Sequence, residues 1–144
     1  MGMVTSRPTP LRILAVDDEA SMLAFVARVL MSAGHEVVLA SDAHQALQLV
    51  AAQDRPFDVF VLDVMMPQIR GDELARELRQ RDPNVKVLYL TGYPDKLFEG
   101  RTLLETSEAF VEKPVTIQGL LEALSLLVSG RTDKGQAGVS RWTR

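Results

Sequence analysis

Val59-Phe60-Val61-Leu62-Asp63-Val64-Met65-Met66-Pro67 is an apolar run broken by one carboxylate and closed by a proline. A charge at the end of a buried strand is costly unless something pairs with it, so Asp63 needs partners. The rest of the chain supplies them. Asp17-Asp18 end the apolar run Leu11 to Val16, Thr91 ends Lys86 to Leu90, and Lys113 stands at the end of Ala109 to Val111. Strand ends carrying acid, acid, hydroxyl and amine read as one site.

Working outward, five short β-rich runs are expected at Leu11 to Val16, Glu36 to Ala40, Asp58 to Leu62, Lys86 to Leu90 and Ala109 to Val111. Segments of helical period separate them. Met22, Phe25, Val26, Val29 and Leu30 follow an i, i+3, i+4, i+7, i+8 stripe, with Gly34 as the stop. A second helix uses Ala43, Ala46, Leu47 and Val50 after Ser41-Asp42, and a third runs from beside Gly71-Asp72 to about Arg81. A fourth, about Asp95 to Leu104, is expected to be short because Gly100 interrupts it. The fifth carries Ile117, Leu120, Leu121, Leu124 and Val128 on one stripe behind a Thr116 cap.

Strands alternating with helices imply an α/β fold, a parallel sheet with right-handed crossovers and helices on both faces. The nearly continuous apolar strands agree, since parallel strands are buried on both sides. Sites in such sheets lie at the carboxyl ends of the strands, where Asp17, Asp18, Asp63, Thr91 and Lys113 all fall. Residues 11–129 form one expected domain, and 1–10 and 130–144 are expected to be flexible ends.

Composition narrows the function. The 144 residues hold 16 basic and 19 acidic side chains, and the net charge of −3 offers no footprint for nucleic acid or an anionic membrane. With no cysteine, thiolate chemistry and cysteine zinc sites are excluded. No stretch approaches the roughly 20 apolar residues of a membrane span. A cytoplasmic location is the simplest expectation.

Three carboxylates converging at strand ends repel one another unless a cation sits among them, and an all-oxygen set selects a hard ion such as Mg²⁺, with Mn²⁺ as a substitute. Simpler roles compete. Asp17-Asp18 suit the cap of the first helix, and Asp18 suits both tasks. Asp63 alone reads as a turn aspartate, and Lys113 alone as a solvated charge. Met65 and Met66 suit packing better than metal binding, because sulfur favours soft metals. His35 and His44 lack ligand spacing and read as surface or helix-end residues.

The set Val16-Asp17-Asp18-Glu19, Leu62-Asp63-Val64-Met65-Met66-Pro67, Leu90-Thr91-Gly92 and Glu112-Lys113-Pro114 resembles the receiver domain of two-component response regulators. The resemblance covers about Leu11 to Val128 and implies a flavodoxin-like, doubly wound five-stranded parallel sheet of order 2-1-3-4-5 with five helices. It implies that Asp18 and Asp63 ligate Mg²⁺ directly, that the Met65 backbone carbonyl supplies a third ligand, and that Asp17 acts directly or through water. Asp63 is then the nucleophile that becomes an acyl phosphate. Lys113 pairs with one phosphoryl oxygen and the Thr91 hydroxyl donates to another. In the switch so implied, phosphorylation of Asp63 draws Thr91 toward the phosphoryl group and the aromatic at Phe110 turns inward behind it, although Phe110 also suits a plain core role.

The family pattern expects Gly where Gln68 stands, alanine where Gly92 stands and an aromatic where Val115 stands. Met65 and Tyr93, each two positions beyond a site residue, are placed to shield the acyl phosphate from water. The stretch Pro67 to Asp95 is similar to receivers of hybrid sensor kinases. The resemblance implies a histidine kinase or histidine phosphotransfer protein as donor. It also implies an output partner on the face of the fourth and fifth helices or a linked output domain, and a monomer or phosphorylation-dependent dimer. A turnover phosphatase of this kind needs a second acid two residues beyond the nucleophile, where Met65 stands, so no enzyme acting on a separate substrate is expected. The alternative is a receiver-like interaction module that is never phosphorylated.

Overall fold

The computed structural model describes residues 9–94 and 107–129. Along them run β1 (Arg12–Val16), α1 (Ala20–Ser32), β2 (Glu36–Ala40), α2 (Ala43–Ala52), β3 (Val59–Asp63), α3 (Gly71–Arg81), β4 (Lys86–Thr91), β5 (Glu108–Glu112) and α4 (Ile117–Ser129). The strands form one parallel sheet in the order β2-β1-β3-β4-β5, as the resemblance implied. The helix expected over about Asp95 to Leu104 lies outside the described residues, so α4 is the expected fifth helix. The expected flexible ends, apart from residues 9 and 10, also lie outside them.

The period of two along each strand divides the core. Leu14, Val16, Phe60, Leu62, Tyr89 and Phe110 face α2 and α3, meeting Ala43, Ala46, Leu74 and Leu78. Ile13, Ala15, Val59, Val61, Leu88 and Leu90 face the other way, onto Val26 and Leu30 of α1 and Leu120 and Leu124 of α4. Every residue of β1 and β3 is buried. Each large aliphatic side chain so enclosed contributes about 1.5–3 kcal/mol.

Polar residues set the helix limits. Asp42 caps α2 by accepting the Gln45 N–H at 2.8 Å, and Thr116 caps α4 by accepting the Gly119 N–H at 2.9 Å. Each such cap contributes about 1 kcal/mol. Gly34, at φ +97°, ends α1: its N–H reaches the Met31 carbonyl at 3.0 Å, and the next N–H, of His35, reaches Leu30 at 3.1 Å. That double closure is the left-handed helix stop expected of glycine.

Two expectations change. Asp18 does not cap α1; the cap position is Glu19, which has no side-chain cap bond, and Asp18 is exposed. The Asp17 carboxylate instead holds the Glu19 N–H at 2.9 Å, just ahead of the helix. β5 is longer than its apolar run because Glu108 belongs to the ladder, its carboxylate buried against Arg79 and the Tyr89 hydroxyl.

Candidate functional site

β3 and β4 end on Asp63 and Thr91, so both residues are held by the ladder itself. The pairing continues one step past the strands: the Val64 N–H meets the Leu90 carbonyl at 3.1 Å, and the Lys113 N–H meets the Thr91 carbonyl at 2.8 Å. These bonds aim the side chains at the carboxyl edge of the sheet. Asp18, Glu19, Asp63, Met65, Gly92, Tyr93 and Lys113 line a cleft of about 440 Å³ there.

The three expected acids do converge. Asp17, Asp18 and Asp63 each offer a carboxylate oxygen within 4.8 Å of the others. Asp17 and Asp63 are only 2% and 4% exposed. Lys113 Nζ lies 3.3 Å from Asp63 Oδ1 and 3.6 Å from Asp17 Oδ2, bridging the two buried acids. Asp63 Oδ1 also accepts the Met65 N–H at 3.4 Å. Buried Asp17 Oδ2 has no hydrogen-bond donor.

Electrostatics record the crowding. Burial, then the neighbouring Asp17, pushes Asp63 up to about 6, against the pull of Lys113. Burial likewise raises Asp17, opposed by the Glu19 N–H and Lys113. For Lys113 burial acts downward, but Asp17 and Asp63 outweigh it and leave the ammonium raised. One lysine thus serves two carboxylates that also repel each other. An undonated carboxylate oxygen within an all-oxygen trio is the environment a hard divalent cation fills, so the residues fit the expected ion.

Thr91 is fully buried, and its Oγ1 accepts the Tyr93 N–H at 2.9 Å, leaving the hydroxyl proton to be donated elsewhere. Phe110 is fully buried, facing inward beside Tyr89, its register partner across β4 and β5. Met65 and Tyr93 stand at the cleft rim, 42% and 66% exposed. Gln68 lies at φ +71°, the left-handed conformation that favours glycine, where the family pattern has one. Gly92 answers no packing demand, since a Cβ there would meet only Lys113 Cβ, at 4.0 Å.

The two histidines sit apart from the cleft. His35 follows the end of α1 and accepts the Leu11 N–H on Nδ1 at 3.0 Å, and His44 is exposed on α2.

Sequence reasoning missed one participant. Gly71 opens α3 so close to the acceptor turn that a Cβ on it would lie 2.2 Å from the Asp63 carbonyl oxygen and 3.0 Å from Val64 Cα. Its N–H also bonds the Val64 carbonyl at 2.9 Å. A glycine at a helix start, where a cap residue is usual, was the available signal.

Comparison with known proteins points one way. Residues 13–125 match the family model described as the response regulator receiver domain. Over 132 residues the chain is 37% identical to response regulator MprA of Mycolicibacterium vanbaalenii, covering 91% of this chain and 56% of that protein. The chain spans about half the length of the curated relatives it matches. Among solved structures, the receiver domain of the hybrid histidine kinase CckA is 31% identical with a TM-score of 0.68, covering 81% of this chain and 97% of that one. Response regulator TrrA of Thermotoga maritima, in complex with Mg²⁺-BeF, is 28% identical with a TM-score of 0.67, covering 81% and 98%. With the match running from the first strand into the last helix, this chain belongs to the response regulator receiver domain family.

Proposed function

We propose that Asp63 accepts a phosphoryl group and that its modification is the signal this domain carries. The observation that carries the reading is the Lys113 ammonium held 3.3 Å from a buried Asp63 carboxylate, with Asp17 and Asp18 alongside. An Asp63 oxygen attacks the phosphorus of a phosphohistidine on a sensor kinase or histidine phosphotransfer protein. The O–P bond forms as the N–P bond breaks, and the imidazole leaves, taking a proton from solvent. The nucleophile is already a carboxylate, so no general base is needed.

Asp17, Asp18, Asp63 and the Met65 carbonyl would hold Mg²⁺, or Mn²⁺ in its place, which would offset negative charge gathering on the phosphoryl oxygens. Lys113 moves its ion pair from the carboxylate to one phosphoryl oxygen, and the Thr91 hydroxyl donates to another. Thr91 and Phe110 then relay the change to an output partner on the face formed by the fourth and fifth helices, or to a linked output domain. Met65 and Tyr93 at the rim slow the return of water. The chain acts on itself: it takes up and loses its own phosphoryl group, in the cytoplasm, with 11–129 as the working unit.

Incubation with Mg²⁺ and acetyl phosphate, followed by intact mass, tests the acceptor. Wild type gains one phosphoryl group and Asp63→Asn gains none. Equal gain in the two proteins refutes the assignment.

A further inference from the structure

Arg79, Glu108 and Tyr89 form a buried polar cluster that the phosphoacceptor chemistry does not use. Glu108 is 1% exposed and Tyr89 fully buried. The Tyr89 hydroxyl donates to Glu108 Oε2 at 2.8 Å, and Arg79 Nη2 donates to the same oxygen. Burial lowers the Arg79 guanidinium, but Glu108 and then Tyr89 outweigh it and leave it raised.

Stability alone is a weak reason for such a cluster. Apolar residues of similar volume commonly replace a buried ion pair with no loss of stability, or with a gain. A hydrogen-bonded ion pair adds fixed geometry, and here it joins three elements, α3, β4 and β5. The first turn of α3 is pressed on the Asp63 carbonyl through Gly71. Eight residues on, about 12 Å along a stiff helix axis, Arg79 reaches Glu108. Tyr89 shares that carboxylate, and Thr91 stands two residues beyond it on the same face of β4, about 7 Å away. Asp63 and Thr91, at the ends of neighbouring paired strands, are therefore joined a second time, behind the ladder, by rigid parts.

We infer that Arg79, Glu108 and Tyr89 are positioning residues: their buried tie sets the spacing between the Asp63 turn and Thr91 during phosphoryl transfer. The inference rests on the acceptor role given to Asp63 above. The three residues touch no reacting atom.

Tyr89→Phe removes one hydroxyl from the tie and keeps the ring. Its rate of phosphorylation by acetyl phosphate, read by intact mass, should fall about threefold to tenfold, the worth of one hydrogen bond to a charged group partly transmitted to the site. Mg²⁺ affinity by calorimetry should not change, because Asp17 and Asp18 follow β1 and Asp63 ends β3, none of them on the three tied elements. Thr91→Ala should slow transfer less in the Tyr89→Phe background than in wild type, since the tie acts through Thr91. Leu124→Ala, a core truncation on the opposite face, should lower Tm yet leave the rate of the folded protein unchanged. Glu108→Gln gives a second reading of the same tie and should slow transfer as well. Wild-type rates in Tyr89→Phe and Glu108→Gln, with an undiminished Thr91→Ala effect, overturn the inference. If wild type itself takes up no phosphoryl group, the acceptor reading fails and this one with it.

Discussion

Gly71→Ala tests the contact between α3 and the acceptor turn most severely. The added Cβ would start 2.2 Å from the Asp63 carbonyl oxygen, 2.9 Å from its carbon and 3.0 Å from Val64 Cα. An ordinary carbon–oxygen contact lies near 3.3 Å, so helix and turn must part by roughly 1 Å. All three obstacles are backbone atoms, which no rotamer change can move aside. Overpacking of this kind costs about 1–3 kcal/mol, and the upper end applies here because the Gly71 to Val64 bond is strained too. For a domain of this size that is a Tm loss of about 10–15 °C. The turn that moves carries Asp63, the proposed nucleophile, and a displacement of about 1 Å can cost about 10²-fold in rate. Gly34→Ala is the matched control: its Cβ meets nothing within 4 Å, so only the φ of +97° is penalised, far from the cleft. Thermal melts and acetyl phosphate kinetics at a temperature where all forms are folded compare the two. If Gly71→Ala melts no lower than Gly34→Ala and phosphorylates at the wild-type rate, the contact does not position Asp63.

Three further outcomes are expected. Gln68→Gly relieves a left-handed backbone and should stabilise by about 0.5–1 kcal/mol after the extra chain entropy of glycine, seen as a higher urea midpoint with unchanged slope; a lower midpoint contradicts the reading. Burial lowers the His35 imidazole below its usual value, so its contribution is complete above about pH 6.5 and fades as pH falls below that. His35→Asn keeps an acceptor for the Leu11 N–H and removes the titration, so its Tm should drop less than that of wild type between about pH 7 and 5.5; parallel losses count against the assignment. Small residues at both Met65 and Tyr93 should shorten the life of the phosphorylated form severalfold, followed by mass after donor removal, and an equal or longer life means the two side chains do not shield the site.

How far these residues could be read in advance depended on range. The third helix was placed at its observed end, Arg81, because its polar start and its Asp82-Pro83-Asn84 stop are local signals. The cleft was legible because chain chemistry and sheet topology agree: Asp17, Asp18, Asp63, Thr91 and Lys113 stand at strand ends, and parallel strands bring those ends together. Glu108 was not, since an acid bounding a short apolar run looks like a strand limit. Arg79, 29 positions away, and the Tyr89 hydroxyl, 19 positions away, make its burial tolerable. Gly71 looked like an ordinary helix start, because nothing in a linear pattern says that another backbone presses on it. The role of Asp18 was misjudged for a related reason, as the adjacent Asp17 reaches the helix start first.

The order of strands also divides labour within the cleft. The acids come from β3 and from the residues after β1, both interior strands hydrogen-bonded on two flanks, whereas Lys113 follows β5, which closes the sheet and is bonded on one. Shifting an interior strand breaks two ladders, while shifting the border strand breaks one. The acidic half of the cleft is thereby an anvil, and Lys113 stands where the sheet yields with least resistance.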